Sequence, residues 1–141
     1  MTLTPYTCAV LRYTQDRGAG EMLNIGVVLY APNSHELVFQ LENRFQRLSE
    51  AFSGFDGEHY RKALARLQQA LKQIADETQQ RVLLDDQTGH TVIDLVRRAW
   101  TDDGLSFQFG PSLGGVTTDP QRELRLVFER MVSSRWDRHG R

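Results

Sequence analysis

Three polar residues near the start of the chain have the types and spacing of a small-molecule site. Arg12 stands near the end of the segment "YTCAVLRY", and Glu21 and Asn24 stand at the beginning of "EMLNIGVVLY". A guanidinium can hold an anion, a carboxylate can act as acid or base, and an amide can orient a ligand. Residue alternation places Asn24 and Gly26 on one face of the second segment, with Arg12 on the corresponding face of the first. The pattern raises the hypothesis of a site for a phosphorylated or nucleotide-like compound.

Two other interpretations of this cluster are open, and the structural one is favoured. In that interpretation Arg12 pairs with Glu21, Asn24 bonds to a backbone group of a loop, and Gly26 makes room for an aromatic ring such as that of Tyr30 or Tyr6. In the other, the face that carries Arg12, Asn24 and Gly26 meets a partner protein or a second copy of the chain, because it has less apolar mass than the opposite face.

A second candidate is the glycine-rich segment "GPSLGG", which contains Gly110, Gly114 and Gly115. Glycines allow backbone N–H groups to face an anion, and the segment precedes a helix start. However, it lacks the Lys-Ser/Thr pair of a phosphate-binding P-loop and the G-x-G-x-x-G spacing of a dinucleotide site. A bulge or a tight turn is the favoured interpretation.

Catalytic and metal-binding motifs are not evident in the sequence. Asp85, Asp86 and His90 in "DDQTGH" could ligate a metal, but loop carboxylates near a helix start are usually solvated. There is no HExxH or G-x-S-x-G motif. Cys8 stands in the middle of a strand pattern and is expected to be a small buried apolar residue. We therefore expect no metal and no cofactor, and the sequence favours a non-enzyme.

Composition limits the remaining function classes. The net charge is −1 and the pI is about 6.4, which argues against a large phosphate-binding surface. Basic residues of the longest predicted helix, together with the basic C-terminus, leave weak nucleic-acid binding as a minor alternative; they are Arg61, Lys62, Arg66, Lys72, Arg135, Arg138 and Arg141. A single cysteine, the lack of a signal-peptide pattern and the lack of an apolar run of about 20 residues predict a cytoplasmic protein.

Periodicity predicts an α+β fold. Alternation over 6–13 and 24–30, followed by "ELVFQL", predicts an antiparallel meander whose first connection is a long polar loop, "TQDRGAGEML". An apolar stripe at steps of three and four predicts a helix over 58–77, and shorter helices are predicted over 42–52, over 91–100 and after Pro120. "LSFQFG" predicts another strand, and "PSLGGVTT" a bulged continuation.

The predicted architecture is a three- to four-stranded antiparallel sheet with three to four helices packed mainly on one face, the face of Leu11, Ile25, Val27 and Leu29. Residues 1–134 form one domain in this prediction, and 135–141 form a frayed basic tail.

Three segments resemble a bacterial family known as domain of unknown function 3037. They are "YTCAVLRY", "GEMLNIGVVLY" and "GGVTTDPQRELRLVFERMV", here Tyr6 to Tyr13, Gly20 to Tyr30, and Gly114 to Val132. The resemblance spans most of the chain and implies no activity, cofactor or catalytic residue. It does imply an accessory role, since some members are encoded beside a kinase that resembles HipA, which would then be a partner.

Two functional hypotheses follow. The first is a non-catalytic interaction or accessory protein that binds a partner protein, or a second copy of itself, through the Arg12/Asn24/Gly26 face or through the sheet edge at 110–118. The second is a small enzyme or ligand-binding protein in which Arg12, Glu21 and Asn24 converge in a pocket.

Overall fold

A computed structural model describes residues 2–16, 21–44, 46–51, 54–80, 91–97 and 107–133, without the side chains of 15, 16, 21, 46, 47 and 51. The candidate metal ligands Asp85, Asp86 and His90, the end of the helix predicted through residue 100, and the tail 135–141 lie outside these residues. Among the described residues the fold is α+β, built on an antiparallel sheet of five strands.

The centre of the sheet is the predicted meander. Strands β1 (Thr4–Asp16), β2 (Glu21–Ala31) and β3 (Glu36–Leu41) pair in the order β3-β2-β1. The free edge of β1 is then covered by β4 (Phe107–Phe109) and β5 (Leu113–Thr117), which pair with successive parts of it. The sequence predicts three to four strands, whereas the structure has five, because the last strand is interrupted.

The first hairpin is longer than the sequence predicts. Pairing continues to Asp16 opposite Glu21, so most of the segment expected as a polar loop belongs to the ladder. Backbone hydrogen bonds do not depend on side-chain polarity, and an exposed hairpin end tolerates polar residues.

A bulge at Ile25 changes the faces of β2. Leu11 lies opposite Gly26, but the next residue, Arg12, lies opposite Asn24, so Ile25 is the additional residue. Because alternation restarts at a bulge, Asn24 lies on the face of Val27, and Gly26 lies on the other face with Leu11. The prediction that Leu11 shares a face with Val27 and Leu29, and Asn24 with Gly26, is wrong for this reason.

Helices cover both faces of the sheet. The backbone N–H of Val92 in α3 (Val92–Val96) donates to Thr7 Oγ1 on one face. On the other face Tyr6 donates to Glu123 of α4 (Pro120–Phe128), at 3.3 Å. The expectation of helices mainly on one face is corrected by α4, which packs on β2 and β3 over the face assumed to be thin. Residues 27–31 of β2 are accordingly fully buried.

Local sequence signals explain where the helices begin. The long helix α2 (Gly57–Gln80) buries the predicted stripe of Tyr60, Leu64, Leu67, Leu71 and Ile74. The Asp119 side chain accepts from the N–H of Arg122 and Pro120 is the first residue of α4, as predicted. Thr91 and Asp94 form the predicted capping box at α3. The helix α1 (Gln46–Ala51) contributes Leu48 to the core. After α4 the chain continues as a π-helix over Glu129–Ser133.

Candidate functional site

The polar residues singled out by the sequence are only partly brought together. Arg12 and Asn24 are direct cross-strand neighbours, and both are half-buried. The Asn24 amide donates to the backbone carbonyl of Met131 at 3.0 Å, which ties β2 to the end of α4. The favoured interpretation expected a bond from Asn24 to a backbone group of a loop, whereas the acceptor here lies in the π-helix that continues α4. The backbone of Glu21 lies at the end of the hairpin, and its side chain is outside the described part, so its pairing with Arg12 stays a prediction.

Gly26 is separated from this pair and is sealed inside the sheet. A Cβ atom at Gly26 would lie 2.7 Å from Leu41 Cδ2 and 3.0 Å from the carbonyl oxygen of Gln40. The neighbour that requires glycine is therefore Leu41, in place of the aromatic ring expected from the sequence. No surface for a ligand or a partner remains at this position.

The Arg12 guanidinium lies across the backbone of Gly110. A Cβ atom at Gly110 would be 3.2 Å from an Arg12 guanidinium nitrogen. The Gly110 N–H donates to the carbonyl of Val10 at 2.8 Å, so this glycine still belongs to the ladder. Gly110 allows the long arginine side chain to pass over the strand, which is a packing role.

The glycine-rich segment is the predicted bulge. Pairing of β4 with β1 and of β5 with β1 differs in register by one residue, since Leu11 lies opposite Phe109 but Cys8 lies opposite Leu113. The additional residue lies between Gly110 and Leu113, where Pro111 supplies no N–H for a ladder. The two strands are one strand interrupted by a bulge at the edge of the sheet.

The outer edge of β5 is one of the edges of the sheet. Because Val10 directs its carbonyl towards Gly110, the even-numbered residues of β1 direct their backbone groups to this side. Their partners Gly115 and Thr117 consequently direct their backbone N–H and C=O groups towards β1. Gly114 and Val116 direct theirs away from the sheet. No described strand pairs with this outer edge.

This edge lacks one of the usual protections against pairing, which is a charged side chain. Natural edge strands carry charges, especially lysine, that discourage contact with another strand. Here no charged residue occurs from Phe107 to Thr118. Leu113 is 47% exposed and Val116 59%, and Leu3, which precedes the partner of Thr117, is 64% exposed. The edge combines outward backbone groups with exposed apolar side chains.

The two glycines of β5 have different environments. A Cβ atom at Gly115 would lie 2.6 Å from the Tyr6 hydroxyl oxygen, so this glycine allows the Tyr6 ring to cross the strand towards Glu123. At Gly114 a Cβ atom would meet only the carbonyl oxygen of Tyr6, at 3.9 Å, which is an ordinary contact. Packing within the described chain thus accounts for Gly115 and not for Gly114.

A cleft of about 420 Å³ lies beside the bulge, between α3 and the junction of β4 with β5. Its apolar wall consists of Ile93, Val96, Phe109 and Pro111. Its polar groups come from Thr91, Arg97 and Ser112. Sequence reasoning missed Arg97, because its position beside the strands depends on the packing of α3. The run of uncharged residues that marks the β5 edge was present in the sequence.

The remaining candidates from the sequence are Cys8 and the basic residues of α2. Cys8 is 4% exposed as expected, and burial raises the pKa of its thiol, with the opposing charge of Arg130 as the smaller effect. The basic residues of α2 are exposed, and Lys62 pairs with Glu58 at 3.2 Å, so part of that charge is balanced on the helix itself. Within the described ranges, no helix is long and apolar enough to span a membrane.

One protein family model matches most of the chain. A family model described as "Protein of unknown function (DUF3037)" matches residues 8–132. The chain belongs to this family. The match extends from the middle of β1 past the end of α4, so the predicted resemblance is confirmed. No curated protein and no solved structure gives a significant match. The DUF3037 description names no activity, and a functional inference must come from the geometry.

Proposed function

We propose that this DUF3037 protein is a non-catalytic interaction protein that binds an extended segment of a partner protein along the outer edge of β5. The observation that carries the proposal is the uncharged edge at Gly114 and Val116, which no described strand pairs with and which is flanked by exposed Leu113 and Leu3. A strand added to such an edge gains main-chain hydrogen bonds, and alternate side chains gain apolar contacts.

The geometry favours this edge over the sheet face. On the face, Asn24 already bonds to Met131 and Gly26 is sealed by Leu41. At the edge, Gly114 has no internal contact that requires glycine, and the absence of a side chain leaves room for a large neighbouring side chain of an incoming strand. The HipA-like kinase implied by the family resemblance is the first partner to test, and a second copy of the chain is the second.

The test uses two edge variants and one matched control. Val116→Lys introduces a charge at the edge, and Gly114→Pro removes an outward N–H without removing an inner ladder bond. Leu126→Lys introduces the same charge at a similarly exposed apolar residue, 50% exposed, on α4. Each tagged variant, first shown to keep the wild-type melting temperature, is used to capture partners from lysate of its native host, and self-association is measured by sedimentation.

The proposal requires that a captured partner, or the dimer, is lost with Val116→Lys and with Gly114→Pro but kept with Leu126→Lys. A partner that survives both edge changes, or one that is lost with all three variants, contradicts it. A wild-type chain that is monomeric and captures neither the kinase nor another protein also contradicts it.

A further inference from the structure

No described side chain fills the cleft beside the bulge. Its volume of about 420 Å³ is within the range of roughly 300–1,000 Å³ that is typical of small-molecule sites. The bulge at Pro111 displaces the strand here, and α3 forms the opposite wall. Val96 at the base is 1% exposed, and Ile93 and Phe109 also pack against the hydrophobic core. The apolar wall is therefore held by the core.

The polar groups of the cleft are mainly donors. In the described part of the chain, no carboxylate pairs with Arg97 and no residue hydrogen-bonds to the Ser112 hydroxyl. The Thr91 hydroxyl already donates to Asp94, at 3.2 Å. Among the described residues that line the cleft, none is acidic. A guanidinium and a hydroxyl beside an apolar wall are complementary to an organic anion.

We propose that this cleft binds a compact organic carboxylate with one or two rings. The carboxylate accepts hydrogen bonds from Arg97 and Ser112 at the mouth, and the ring lies against Ile93, Val96 and Phe109. The site is distinct from the β5 edge proposed for partner binding, because Arg97 directly follows α3 and Ser112 precedes β5.

The test titrates the full-length ¹⁵N-labelled protein with 2-naphthoate and with the neutral amide 2-naphthamide, followed by amide chemical shifts. We expect shifts that saturate with naphthoate and are concentrated in 91–97 and 109–113, and weaker binding of the amide. Arg97→Gln should weaken naphthoate binding by about tenfold or more, since it removes a charged hydrogen bond. Arg125→Gln, at an arginine on α4 that is also exposed, serves as the matched control and should not change the affinity. Ser112→Ala should weaken binding less than Arg97→Gln.

Three results would overturn this proposal. They are equal affinity for the amide and the carboxylate, equal effects of Arg97→Gln and Arg125→Gln, and saturating shifts that lie away from the cleft. Absence of binding by both 2-naphthoate and benzoate in the millimolar range also overturns it. Val116→Lys separates this site from the proposed docking edge, because it should abolish partner capture while leaving naphthoate binding unchanged.

Discussion

Substitution of Gly26 by alanine tests the packing at the centre of the sheet. The new Cβ atom would lie 2.7 Å from Leu41 Cδ2 and 3.0 Å from the carbonyl oxygen of Gln40, and 3.6 Å from Leu11 Cβ. Carbon atoms in contact are normally about 3.5–4.0 Å apart, so Leu41 must move by roughly 1 Å. The carbonyl of Gln40 belongs to a paired strand and can move less, because Gln40 lies opposite Val27 in the ladder.

The magnitude follows from two opposing effects. Overpacking of a buried site costs about 1–3 kcal/mol, and replacement of glycine in a strand returns roughly 0.5–1 kcal/mol. We therefore expect Gly26→Ala to lower the free energy of unfolding by about 1–2 kcal/mol. In a chain of this size that corresponds to a decrease in melting temperature of about 3–8 °C.

The assay is urea denaturation followed by circular dichroism, with Gly114→Ala as the matched control. At Gly114 the new Cβ meets only an oxygen at 3.9 Å, so we expect no loss, or a gain of about 0.5 kcal/mol. The double variant Gly26→Ala/Leu41→Ala should lose less stability than the sum of its single variants, because Leu41→Ala removes the closest atom. Equal stability of Gly26→Ala and Gly114→Ala would refute the assignment of Leu41 as the reason for this glycine.

Three further predictions concern individual side-chain contacts. Gly115→Ala should cost about 1 kcal/mol in the same denaturation assay, since the Tyr6 ring must turn away from the strand; Tyr6→Ala should suppress that cost, and persistence of the cost would contradict the contact. Arg44→Gln should destabilise by about 1 kcal/mol at pH 7 and less at pH 3. Burial opposes the ionisation of Glu42, but hydrogen bonds from Arg44 at 2.8–2.9 Å outweigh it and hold the pKa of Glu42 below its ordinary value. This stabilisation is present above the ordinary glutamate pKa and is lost as the pH falls through the lowered one, so an effect independent of pH would contradict it. Asn24→Ala should cost about 1 kcal/mol, because its acceptor carbonyl loses a donor, and a melting temperature equal to that of the wild type would contradict this role.

The sequence was sufficient for elements whose signals are local. The stripe of α2 and the Asp119–Pro120 start of α4 depend on residues within a few positions of each other, and both are confirmed. The faces of the sheet could not be predicted in the same way. The bulge at Ile25 reverses the alternation of β2, and whether a bulge forms there depends on how β1 and β2 pair.

The presence of helices on both faces of the sheet is indicated by a pattern in the sequence other than alternation. Residues 27–31, "VVLYA", form a continuous apolar run, which is typical of a strand that is buried on both faces. Interpreted in this way, the run predicts helices on both sides of the sheet, as the structure has them. The cleft could not be predicted, because Arg97 and Pro111 line the same cleft only through the packing of α3 beside the last strands.

The proposed docking edge depends on which backbone groups of β5 point outward, and two neighbouring glycines test this directly. Gly114 directs its N–H to solvent, so Gly114→Pro removes no ladder bond and should change the melting temperature by less than about 2 °C. Gly115 directs its N–H to β1 and lies against the Tyr6 ring, so Gly115→Pro should cost at least about 2 kcal/mol. The two changes are chemically identical and one residue apart, which excludes an effect of proline on the unfolded chain as the cause of a difference. If Gly114→Pro were instead the more destabilising change, Gly115 and Thr117 would be the residues that direct their backbone groups outward. The free N–H groups would then lie at positions where Gly114→Pro cannot block a partner.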